Sequence, residues 1–131
     1  MQKDEMRNLL VEYMGKGFLE NIISLIKTDA SLFELIPDLL KEENMRVRLG
    51  SVALVEEFLP SNPAALRAIL PRLIKLLKHH LPNVRGDVAY ALGILKDPGA
   101  IPALKELLAD ETAAVRESAK EALADIEGKG V

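Results

Sequence analysis

Apolar residues recur every three or four positions through most of the chain, the spacing that gathers them on one face of a helix. Met6, Leu9, Leu10, Tyr13 and Met14 predict a first helix over Lys3–Met14, and Gly15-Lys16-Gly17 ends it. Leu19, Ile22, Ile23 and Ile26 predict a second over Phe18–Lys27. After the turn at Thr28-Asp29, Ser31 followed three residues later by Glu34 has the form of a capping box. The helix it would open, Leu32–Glu43, contains Pro37, which predicts a kink or a late start. Further helices then alternate with polar or proline breaks: Met45–Leu59, Ala64–His79 after Asn62-Pro63, and Asn83–Lys96 after Leu81-Pro82. Asp97-Pro98-Gly99 precedes Ala100–Ala109, and Asp110-Glu111-Thr112 leads into Ala113–Glu127. Residues 128–131 predict a frayed tail.

One pattern in this series repeats. Val84-Arg85 recurs as Val115-Arg116, 31 residues on, and Val47-Arg48 stands 37 residues before Val84. A period of that length is the mark of stacked helix pairs. The helix wheel puts Val115, Ala119, Ala122, Leu123 and Ile126 on one face, and Val84, Val88, Ala91, Leu92 and Leu95 on the equivalent face of the central unit. Both sets are expected to be buried.

The run Val84-Arg85, Val88-Ala89, Ala91-Leu92-Gly93, Leu95, then Asp97-Pro98-Gly99-Ala100, resembles the HEAT repeat family, in particular the short units of the phycobilin-lyase type. The resemblance extends from Leu32 to Glu127 and is poorer in the first unit, where Glu56-Glu57 replaces the Gly-x step. It implies an all-α fold, an α-solenoid (a right-handed α-α superhelix) of about four stacked helix pairs. One domain over 1–131 would then comprise an atypical pair at 1–29 and repeats at 31–59, 62–96 and 97–127. The family also implies a ladder in which Arg48, Arg85 and Arg116 meet acidic residues at the turns. Six residues before each arginine stand Glu42, His79 and Asp110, so the ladder is expected to be interrupted at the middle repeat. A bilin-lyase reading rests on the family name alone, and no residue supports it.

Composition narrows the chemistry. Without cysteine there is no disulfide, thiolate metal site or cysteine nucleophile. His79-His80 are adjacent and point about 100° apart on a helix, so they are no same-face metal pair. No nucleophile elbow or phosphate loop is present. The expectation is a protein that is not an enzyme and needs no metal or cofactor. No apolar run approaches the roughly 18 residues of a membrane span, and the acidic N-terminus is unlike a signal peptide. That predicts a cytoplasmic protein.

Two surfaces remain as candidates. In a HEAT stack the second helices line the concave side. Their positions opposite the core are Leu49, Ala53 and Glu57, then Gly86, Tyr90 and Ile94, then Glu117, Glu121 and Asp125. Each set is spaced i, i+4, i+8, so three stripes lie side by side. The expectation is a scaffold that binds a protein helix or peptide bearing Lys or Arg beside a hydrophobic anchor. The competing surface is a basic stripe on the convex side, Arg67, Arg72, Lys75 and Lys78, which would suit nucleic acid. Acidic flanks and the absence of interleaved aromatics argue against nucleic acid. Partner identity and oligomeric state are left open.

Overall fold

Proline decides where the first helix of each repeat begins. Pro37, Pro71 and Pro102 each occupy the second position of a short α-helix, where a missing N–H breaks no helical hydrogen bond. These helices are α3 (Ile36–Leu40), α6 (Leu70–Leu76) and α8 (Ile101–Leu107). Upstream of each proline the chain tightens or breaks: a 3-10 segment at Ala30–Leu35, the short helix α5 (Pro63–Ala68), and a 3-10 turn at Pro98–Ala100. The late start expected at Pro37 is therefore present. The continuous helix expected over Ala64–His79 is not, because Pro71 imposes the same restart, while the helix expected over Ala100–Ala109 is present as α8 after a 3-10 turn. The computed structural model describes residues 2–128, and positions 129–131 of the expected tail lie outside the described residues.

The remaining helices are α1 (Lys3–Gly15), α2 (Leu19–Thr28), α4 (Met45–Phe58), α7 (Pro82–Leu95) and α9 (Ala113–Glu127). Ser31 does not cap a helix. Asp29 does so instead, accepting from the Ser31 N–H at 3.1 Å, because the 3-10 segment begins two residues earlier than the Ser-x-x-Glu pattern suggests. Lys96 ends α7 in the left-handed conformation, with φ of 54°, and its N–H returns to the Leu92 carbonyl.

α4, α7 and α9 pack side by side, with the most extensive contact between α7 and α9. α3, α6 and α8 each pack against the second helix of their own repeat, while α1 lies against α2, α3 and α4. Between these layers runs an aliphatic core that includes Leu10, Ile22, Leu39, Leu54, Leu66, Leu73, Leu92 and Leu104, all fully buried. Phe33 and Phe58 meet edge to face at 5.0 Å. Val84, Val88, Ala91 and Leu92 are buried as expected, but Leu95 and Ile126 are only half-buried, each in the last turn of its helix.

The recurring arginines hold this stack in two directions. Arg48 Nη1 donates to the carbonyls of Glu42 (2.8 Å) and Glu43 (2.6 Å), and its Nε donates to Asp87 Oδ2 at 2.8 Å. Arg85 repeats the device: Nη1 donates to the His79 and His80 carbonyls, while Nε and Nη2 grip both oxygens of Asp110 at 2.8 and 3.1 Å. Arg116 Nη1 donates to the Asp110 carbonyl at 2.7 Å. The expected interruption at the middle repeat is thus corrected. The residue six before each arginine offers its carbonyl, not its side chain, and the acid comes from the following repeat. Arg48 and Arg85 each satisfy carbonyls just beyond one helix and pair with the next repeat, whereas Arg116 makes only the carbonyl bond. The hydrogen bond from Arg85 holds the Asp110 carboxyl below its ordinary range, and the same bond raises Arg85 further.

Candidate functional site

The stripes expected on α4, α7 and α9 are found on side-by-side helices, because the other face of each helix is committed to the core. Leu49 is 51% exposed and Tyr90 53% exposed, high values for large apolar side chains held on regular helices. Ala53, Gly86 and Ile94 are half-buried between them, and Glu57, Glu117, Glu121 and Asp125 are exposed. Among the described residues, none of these four carboxylates forms an ion pair. Gly86 leaves a small hollow of about 170 Å³ between α7 and α9, lined also by Val115 and Ser118.

The sequence reading missed the apolar end of this face. Met45 is 63% exposed one turn before Leu49, and Phe18 is 47% exposed in the turn after α1, edge-on to Tyr13 at 5.9 Å. Beside Met45 lies a pocket of about 370 Å³, lined by Met14, Gly17, Leu19, Met45, Arg46, Leu49, Gly50 and Ala53. Met45 was legible in principle, since it extends the Leu49, Ala53, Glu57 series by one step of four. Phe18 and Met14 come from the atypical first pair, which has no register with the repeats.

The basic stripe fares differently. Arg72 donates to the Glu34 carbonyl at 2.6 Å and lies 3.5 Å from Asp38, a buried carboxylate that also faces Arg7 and Lys41. Arg67 lies 3.8 Å from Asp97. Lys75 and Lys78 remain exposed and make no ion pair among the described residues. They border a cleft of about 960 Å³ between α6 and α8, with His79, His80, Glu106, Asp110 and Glu111. The two histidine rings stack at 4.4 Å, and His79 Nδ1 accepts from the Leu81 N–H at 3.1 Å. Burial, then the charges of His80, Lys41 and Arg85, lowers the His79 pKa. Among the described residues there is no group of three His, Cys, Asp or Glu arranged to hold a metal ion. None of their helices is long and apolar enough to cross a membrane.

Helix pairs stacked through a recurring Val-Arg step define an all-α helical-repeat protein, an α-solenoid. A family profile for HEAT repeats matches residues 32–124, and the chain belongs to the HEAT repeat family. Among solved structures, the chain is similar to the crystal structure of an engineered protein from the Northeast Structural Genomics Consortium. The identity is 25% over 93% of this chain and 55% of that one, with a TM-score of 0.53. The chain therefore spans about half the length of that protein. No curated protein matches it.

Proposed function

We propose that this protein is a non-enzymatic interaction module that binds a partner protein along the exposed row of α4, α7 and α9. One observation carries the reading: Leu49 and Tyr90 stand exposed on neighbouring second helices beside an acidic row on α9 that has no ion pair among the described residues. Solvation alone gives no reason for an aromatic and an aliphatic side chain to hold those positions, whereas a binding face uses such residues as anchors. HEAT repeats commonly serve as protein-interaction scaffolds, which agrees with this reading. The carboxylates Glu57, Glu117, Glu121 and Asp125 favour a partner carrying Lys or Arg.

Nucleic acid on the opposite side is the weaker reading, since Arg67 and Arg72 face acidic partners of the protein itself. A pull-down from the native source, with and without nuclease, distinguishes the two. Tyr90→Ala should fold normally and lose the captured protein, while the Lys75→Ala, Lys78→Ala double variant should retain it. Retention by Tyr90→Ala together with nuclease-sensitive loss in the lysine variant would reverse the assignment.

A further inference from the structure

We infer that this face recognises an extended peptide segment with one bulky apolar residue and, roughly five or six residues away, a pair of Lys or Arg. The inference rests on the binding face proposed above and adds to it a polarity and a spacing. The apolar end is defined by the pocket at α4. Its walls are mostly aliphatic and thioether groups from Met14, Leu19, Met45 and Leu49, joined by Arg46, with Gly50 and Ala53 leaving the space. At about 370 Å³ it lies at the lower end of the range for ligand pockets, roughly 300–1,000 Å³. Two methionines give the walls unusual freedom to fit different apolar side chains. Met45 and Leu49, two of the most exposed large apolar residues described, line this one site.

The far end has the opposite chemistry. Glu117, Glu121 and Asp125 form the outward stripe of α9, are exposed, and have no cation paired to them among the described residues. A partner that buries an apolar side chain at α4 and continues across Tyr90 on α7 meets these carboxylates next. Adjacent packed helices stand about 8–10 Å apart, so two steps from α4 to α9 cover about 16–20 Å. An extended chain advances about 3.3 Å per residue and crosses that distance in about five or six residues. A helical ligand would need about 11–13 residues for the same span. Crossing three parallel stripes at a right angle meets each stripe once, and an extended chain does this with one side chain per stripe.

The test uses synthetic acetylated and amidated peptides, each with one Leu and one Lys-Arg pair joined by a Gly-Ser spacer, read by fluorescence anisotropy against the full chain. Spacers of about two, five and twelve residues bracket the extended and helical spans. Binding should be at least about tenfold tighter for the five-residue spacer than for the others, about 1.4 kcal/mol. Leu49→Ser should remove the benefit of the peptide's Leu, and Glu121→Lys should weaken binding in a way that Glu-Glu in place of Lys-Arg restores. Both positions are exposed, and circular dichroism checks that the variants fold. Absence of binding above a scrambled peptide, indifference to spacing, or preference for the twelve-residue spacer overturns the inference. The binding face itself stands or falls separately: it survives such a result if capture of the native partner still depends on Tyr90, and falls if it does not.

Discussion

The junction of α7 with α9 and that of α1 with α4 each bring a glycine against another helix, to different ends. At Gly93, an added Cβ would lie 3.0 Å from the Cα of Ala122 and 3.2 Å from its Cβ. That obstacle is backbone, so the two helices form a rigid seam, tied further by the Arg85–Asp110 fork beside it. At Gly50 the added Cβ would run into the side chain of Met14, a flexible thioether that already lines an open pocket. Close packing of small residues leaves this part of the seam no adjustable space, whereas a large flexible side chain over a glycine does. The apolar pocket belongs to the second kind of junction, and the acidic row flanks the first.

Breaking the fork should show the largest difference between the two ends. Asp110→Asn leaves the Arg85 guanidinium buried without its counter-charge and should cost about 3 kcal/mol. Differential scanning calorimetry should then show a fall in melting temperature of about 10 °C. A loss below about 1 kcal/mol would mean that the carbonyls of His79 and His80 suffice to hold Arg85. Next in size is Gly93→Ala, which should cost about 1–3 kcal/mol because the Ala122 backbone must move. Gly50→Ala should lie within about 1 kcal/mol of the parent, since Met14 can swing aside and alanine favours the helix by about 1 kcal/mol. Equal costs at the two glycines in urea titrations would erase the distinction between rigid and adjustable junctions.

The smallest effect is on pH dependence, and it belongs to the α7–α9 end. His79 has its pKa lowered from the ordinary 6.5, so the unfolded chain takes up that proton first and stability begins to fall below pH 6.5. Asp110 is lowered from 3.8, so its contribution is complete above that value and is lost as pH falls through the folded pKa. Urea midpoints measured across acid pH should decline in two stages. His79→Gln should remove the earlier one and Asp110→Asn the later one.

The sequence made the repeated elements legible and left the contacts between repeats obscure. α9 runs over Ala113–Glu127 as its apolar periodicity predicts, and the Val-Arg steps locate α4, α7 and α9. Pro71 carried the signal for the break between α5 and α6, but the amphipathic pattern continues through it and masked it. The arginine partners were out of reach for another reason. Asp87 lies 39 residues from Arg48 and Asp110 lies 25 from Arg85, so the pairs follow from how repeats stack and not from spacing along one helix. At the candidate face, Leu49 and Tyr90 were readable from the wheel, while Phe18 and Met14 depend on how the irregular first pair folds back over α4.

The arginine rungs also set the order in which the molecule comes apart. Because Arg48 and Arg85 each hold the end of their own first helix and an acid of the following repeat, the three repeats cannot separate without breaking a rung. Neighbouring units are therefore coupled, and thermal fluctuation should spread inward from whichever end is least tethered. That end is the first pair, α1–α2, which none of the three recurring arginines ties to the repeats, whereas α9 shares the most extensive helix contact with α7. The pocket at α4, lined in part by Met14 and Leu19 of that pair, then depends on the part of the molecule that opens first, so a ligand seated there would also hold the first pair down. Binding and the completion of folding would become one equilibrium at the N-terminal pair.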